Sequence, residues 1–266
     1  MASGIDHVVI AVPDPDAAAA ELTEALGIAF TGGGRHEGLG TFNRIAFLGD
    51  HFLELLGVRD EGEAVKWPVG AAGLRELERG GGLATYALLE DDLEVRVAAL
   101  KAAGSSIGPI VPGSRQRADG DRVEWWSATP PELGPDRPPF FIKHAYVGSE
   151  WGPDAMAARR AFRHPIGSSA SLQRLEIATP DPPALAADYA AEIGLELWAV
   201  GDLAVGTVGP HVIRLVPSRE MEVAAAVTIG ADVSVPRTFQ AFGVRFAVEP
   251  VASAQPRPSA AAAGRV

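Results

Sequence analysis

The chain has 266 residues, with six histidines and no cysteine, and this sets the chemistry open to it. Without thiols there is no disulfide framework, zinc-thiolate site or thiol nucleophile, so any metal must be held by His, Asp, Glu, carbonyls or water. His7 sits in one apolar run, GIDHVVIAV, and Glu54 in another, HFLELLGV. If both runs are strands, His7 shares a face with Val9 and Ala11, and Glu54 shares one with Phe52 and Leu56. A polar side chain on such a face needs a partner or a task. An imidazole and a carboxylate brought together suit proton transfer, or a divalent ion that binds substrate oxygens. The plainer outcome is a closed polar network in which Glu54 pairs with His7, Lys143 or an arginine.

His36 and Asn43 lie in the glycine-rich stretch GGRHEGLGTFN. Either one facing a cavity would bind a substrate oxygen or move a proton. Alternatively, the glycines serve a tight hairpin and Asn43 satisfies backbone groups there. Trp125, Trp126, Phe140 and Phe141 fall on neighbouring predicted strands, where alternation turns one Trp and one Phe inward. Trp125 and Phe141 are the pair assigned to an aromatic wall suited to a planar or apolar ligand, though core packing also uses such residues. His144 is expected to end its strand near the surface, and joins a site only if that strand turns it inward with Ile142. His51 and His211 begin strands at corresponding places and are expected to be exposed, and His164 lies in a connector. No Walker loop, Rossmann fingerprint or Ser-His-Asp signature is present.

A repeat positions these residues. Residues 4–27 read as a strand, an Asp14-Pro15 helix start and an amphipathic helix closed by Gly27. Residues 82–104 repeat this with Asp91 or Asp92 as cap and Gly104 as stop, and residues 171–194 with Asp181 and Gly194. After the first helix, strands are predicted at 28–36, 41–48 and 51–58, which makes a βαβββ unit. The second copy continues through 108–117, 122–128 and 139–146. The third is less regular, with short strands at 195–199, 203–208 and 211–216 and a strand-rich stretch at 223–248. The expected organisation is a paired βαβββ domain over 1–146, a connector over 147–170 with a helix near 154–162, a degenerate third unit over 171–250 and a disordered tail over 251–266.

A hydrophobic content of 47% supports a substantial core, and a net charge of −11 disfavours nucleic acid and anionic membranes as partners. No apolar run has the length of a membrane span, and MASGIDHVVIAV lacks the marks of a signal peptide, so a cytoplasmic location is expected.

The ordered motifs DHVVIAVPD, GGRHEGLGTFN and LGDHFLELLGV within tandem βαβββ units resemble the glyoxalase-like branch of the vicinal oxygen chelate superfamily. The resemblance covers residues 4–58 well and 82–144 moderately. It implies an α+β fold in which tandem βαβββ units form curled mixed sheets, with strand order 1-4-3-2 in each unit, around a cup-shaped cavity. It further implies metal ligands on the first and last strands of each unit, here His7 and Glu54, for a divalent ion such as Zn, Mn, Fe or Ni. The other copies depart from that pattern: alignment sets Thr85 opposite His7 and Ile142 or Lys143 opposite Glu54, and in the third copy Arg174 and Arg214. The expected activity is that of a glyoxalase-like lyase, isomerase or dioxygenase acting on a small oxygen-rich or aromatic metabolite, with His7 and Glu54 as metal or acid/base pair. The competing expectation is a metal-free small-molecule-binding or drug-sequestering protein using the same cup. Pairing of units between chains would make a homodimer.

Overall fold

The computed structural model describes residues 2–251. The tail expected at the C-terminus therefore lies outside the described residues beyond Val251. The first unit comprises β1 (Gly4–Ala11), α1 (Pro15–Leu26), β2 (Gly32–His36), β3 (Thr41–Leu48) and β4 (His51–Val58). α1 begins where the Asp14 carboxylate accepts from the backbone N–H groups of Asp16 and Ala17, and it ends at Gly27 with φ 71°. Two short helices that the repeat does not predict, α2 (Glu61–Ala64) and α3 (Pro68–Leu77), lead to the second unit. That unit is β5 (Gly82–Leu89), α4 (Leu93–Ala102), β6 (Val111–Gln116), β7 (Arg122–Ala128) and β8 (Phe140–His144). Asp92 stands at the cap position of α4 but makes no capping bond.

The eight strands of these units close into a barrel in the order β1-β4-β3-β2-β6-β7-β8-β5. β1 runs parallel to β4 and antiparallel to β5, and the antiparallel contact of β2 with β6 makes the second seam. The order within each unit is the expected 1-4-3-2. Alternation holds from His7 onward: Val9 and Ala11 pack inside the barrel while Val8, Ile10 and Val12 join the core on its outer side, as does Ile5 across a register shift at Asp6.

The connector carries α5 (Gly148–Trp151) and α6 (Pro153–Ala161), and the third unit is complete: β9 (Ala170–Thr179), α7 (Pro182–Ile193), β10 (Trp198–Val200), β11 (Leu203–Val208) and β12 (His211–Pro217). The strand-rich stretch after it forms β13 (Ala225–Ala231), β14 (Arg237–Ala241) and β15 (Val244–Pro250). β13 pairs antiparallel with β9 as β5 does with β1, and parallel with β15 as β1 does with β4. Residues 225–250 thus behave as a fourth unit without its helix and one strand. The second sheet stays open, in the order β10-β11-β12-β9-β13-β15-β14. One continuous buried cluster joins the outer face of β1, helices α1, α4 and α7, and the apolar face of β9, β12, β13 and β15. The two sheets therefore share a core, with α1 packed against β14.

One irregularity recurs. The β1/β5 ladder skips Asp6 on β1 and Ala84 on β5, and the β9/β13 ladder skips Gln173. These three residues occupy the same place in the repeat. A bulge there re-aims a side chain without disturbing the ladder on either side.

Candidate active site

The barrel encloses a cavity of about 130 Å³. His7, His36, Asn43, Glu54 and Trp125 all line it, five of the six residues singled out from sequence. Phe141 does not. It lies in the outer core beneath the Arg96 guanidinium, 5.7 Å from the ring centroid, and Phe140 takes the inward place. The reason is register: β8 pairs Phe140 with Ala87, an inward residue of β5, and strand alternation then turns Phe141 out.

The β1/β4 ladder pairs Val9 with Glu54 and His7 with Phe52, so the imidazole and the carboxylate emerge side by side into the cavity. His7 Nε2 stands 3.4 Å from Glu54 Oε2. The His7 ring lies flat on Phe52, with centroids 4.4 Å apart and planes 9° from parallel. Behind it, Nδ1 donates to Asp6 Oδ1 at 2.6 Å. The other Asp6 oxygen accepts from His144 Nε2 at 2.9 Å. Asp6 is completely buried. Burial alone would push its carboxyl up, but the two imidazoles, His144 foremost, outweigh that and hold it well below the usual carboxylate range. With Nδ1–H committed to an anion, a neutral His7 ring presents its Nε2 lone pair to the cavity.

Asn43 joins the first unit's polar groups. Its Nδ2 donates to Glu54 Oε1 at 2.7 Å and lies 3.2 Å from His36 Nε2, and its Oδ1 accepts from the Gly34 backbone at 3.0 Å. Asn43 thus satisfies a backbone group, as one of the two readings expects, and also lines the cavity. His36 Nδ1 bonds Thr41 Oγ1 at 2.7 Å. Burial pushes the His36 imidazole down to about 4, although Glu54 nearby pulls the other way, so His36 is neutral at neutral pH.

Several residues of the site escaped the sequence reading. His144, expected near the surface, is buried and stacked on Trp151, with centroids 3.4 Å apart. The connector that carries Trp151 is part of the cavity wall. Its Glu150 is buried and binds Arg115 and Arg117. Arg115 also donates to the Gly33 carbonyl at 2.6 Å. The repeat hid these residues, because α5 belongs to no repeated unit. Asp6 carried a signal in its position next to His7, but only the bulge brings its carboxylate onto the ring. Lys143 faces outward and pairs with Glu94 at 3.1 Å, so it is no partner of Glu54. His51 and His211 are not the exposed pair expected: their rings meet at 4.2 Å, and His211 is fully buried with Nδ1 accepting from the Ile5 backbone. His164 is buried too, held by the Ala29 N–H and the Phe47 carbonyl.

The donors do not fit a resident divalent ion. The β5/β8 register sets Phe140, rather than Ile142 or Lys143, where Glu54 stands in the first unit, and Thr85 stands where His7 does. At the four positions of that pattern only His7 and Glu54 are first-rank donors, short of the three or four that such a site supplies. Among the described residues no group of three or more His, Asp or Glu side chains is arranged to hold a metal ion. In the third unit the corresponding positions hold Arg174 and Arg214, both bound to Glu176.

No curated protein matches this chain by sequence. Among solved structures it is similar to a hypothetical protein from Staphylococcus aureus, with a TM-score of 0.75 at 16% identity over 93% of this chain and 99% of that one. It is also similar to a mutant 4-hydroxymandelate synthase from Streptomyces coelicolor, with a TM-score of 0.51 at 14% identity, covering 87% of this chain and 72% of that one. Methylmalonyl-CoA epimerase from Mycobacterium tuberculosis matches 54% of this chain and 89% of its own at 19% identity, with a TM-score of 0.41. At these identities the likeness concerns the fold. Among the described residues no helix is long and apolar enough to cross a membrane. The glyoxalase-like domain family matches residues 5–193, most of the chain and both units of the barrel, and the protein belongs to that family.

Proposed function

We propose that the protein is a metal-independent acid/base enzyme of the vicinal oxygen chelate type, acting on a small oxygen-bearing or aromatic molecule enclosed in the barrel. The observation that carries this reading is the facing pair, His7 Nε2 and Glu54 Oε2 at 3.4 Å, buried in a cavity and backed by Asp6. Glu54 takes a proton from the substrate, and Asn43 steadies the carboxylate through its other oxygen. His7, held in one tautomer by Asp6, offers its Nε2 lone pair to accept that proton from Glu54 and pass it on. Trp125 and Phe140, which meet His36 and His7 edge-on with ring centroids 5.8 and 5.7 Å apart, provide flat apolar surface beside these polar groups. The reaction class is proton transfer at a carbon next to a carbonyl, which requires no more than an enclosed base and an oriented polar group.

The test is deuterium exchange followed by proton NMR. The protein is incubated in D2O with small ketones and aldehydes bearing an exchangeable α-hydrogen, acetophenone and phenylacetaldehyde first. Exchange by the native protein should exceed that by Glu54→Gln by about 100-fold, the scale of a general base. Equal rates in the two proteins would remove the reading. Binding without exchange in the native protein would instead assign the cup to a small-molecule-binding protein.

A further inference from the structure

We infer that the barrel cavity admits compact uncharged molecules and turns away their anionic isosteres. The inference rests on the reading of this cavity as the substrate site. Size is the first constraint: about 130 Å³ is close to the roughly 150 Å³ that encloses one benzene ring in an engineered apolar cavity. One six-membered ring with a short polar substituent fits.

Charge is the second constraint, and it has a sign. Glu54 is 6% exposed, and among the described residues its ion-pair neighbours are two imidazoles, His7 at 3.4 Å and His36 at 3.8 Å. His36 is neutral, because burial disfavours its charged form. Asp6 adds a second buried carboxylate one ring behind. Among the described residues Arg115 is the one lysine or arginine lining the cavity, and its guanidinium is occupied by the Gly33 carbonyl and Glu150. Arg117 binds the other Glu150 oxygen and Asp119, which leaves that corner balanced. Lys143 lies outside the barrel wall with Glu94. A ligand carboxylate or phosphate would meet no available cation and would stand beside Glu54 at low dielectric, where like charges repel strongly.

Polarity is the third constraint. His7, His36, Asn43 and Glu54 lie on the first unit's strands, and Phe140 and Trp125 of the second meet His7 and His36 edge-on, so apolar rings and polar groups line the cavity side by side. The admitted molecule is therefore flat and apolar, with a neutral hydrogen-bond donor beside its apolar part. A hydroxyl or an amide N–H, which donates to Glu54 or to the His7 Nε2 lone pair, meets these demands, and a carboxylate does not.

Benzamide and benzoate test this, being planar and of nearly equal size but different charge. Binding is followed at pH 7.5 by NMR shifts of the Trp125 indole and the His7 ring, with calorimetry for affinity. Benzamide should shift both signals and bind at least tenfold more tightly than benzoate. Glu54→Gln, which keeps shape and removes charge, should bring the two affinities within about threefold. Benzoate binding as tightly as benzamide, or neither shifting the Trp125 indole, overturns the inference from the native protein alone. An unchanged ratio in a folded Glu54→Gln protein overturns the role of Glu54. The result is independent of the catalytic reading: tenfold selectivity without deuterium exchange would remove the enzyme reading and leave the selectivity standing.

Discussion

Acidification from pH 7 to pH 5 should cost this protein a large share of its stability, through histidines buried in the neutral form. Burial, reinforced by neighbouring His51, pushes His211 down to about 3, and burial pushes His36 down to about 4. Both rings titrate near 6.5 when the chain is unfolded. The unfolded state thus takes up protons as pH falls below about 6.5 while the folded state does not, so stability is lost on acidification. Each ring contributes RT ln[(1 + 10^(pKU−pH))/(1 + 10^(pKF−pH))], where pKU and pKF are its unfolded and folded pKa values. Between pH 7 and 5 this is about 2 kcal/mol per ring, or about 4 kcal/mol for the pair. His51 and His164 are shifted in the same direction, chiefly by burial, and add to the loss. Against a typical total of about 5–15 kcal/mol this is a major term. Urea unfolding at the two pH values measures it, and His211→Gln should remove about 2 kcal/mol of the pH dependence. Equal stability at pH 7 and 5, or a His211→Gln protein with the full dependence, would refute the reasoning.

Asp6→Asn should lower stability at pH 7 by about 3 kcal/mol in urea unfolding, because two imidazole donors lose a charged acceptor in a fully buried place. The same variant should release His7 from its Nδ1–H tautomer, which imidazole nitrogen NMR reads directly; an unchanged His7 spectrum would count against the pairing. Gly34→Ala should open the β2/β6 seam, since a Cβ there would lie 2.1 Å from the Gln116 carbonyl oxygen. Faster amide exchange confined to β2 and β6, with a loss of about 1–3 kcal/mol, is the expected pattern. Elemental analysis of protein purified without chelator should find no stoichiometric Zn, Mn, Fe or Ni; metal present in the native protein and absent from both His7→Ala and Glu54→Ala would contradict the two-donor argument.

The chain's own pattern determined the units, their order and the inward face of the first one. Helix caps such as Asp14 and Gly27, and the two-residue period around His7 and Glu54, are local signals and survive without knowledge of the partner strands. So did the placement of His7, Glu54, His36, Asn43 and Trp125 around one cavity. What only the tertiary structure decided depends on which strand lies beside which, and in what register. Nothing local in FFIKH says whether Phe140 or Phe141 points inward; its pairing with Ala87 does. The bulge at Asp6 appears only in the ladder to β5, and it turns a residue adjacent to His7 into the anion that holds both His7 and His144. The same ladders show that Phe140 and Thr85 replace the second half of a metal site, and that residues 225–250 are a fourth unit stripped of its helix. Alternation and capping act over a few residues, whereas strand phase, bulges and the sharing of a buried charge are set by contacts between segments up to 138 residues apart, as His144 and Asp6 are.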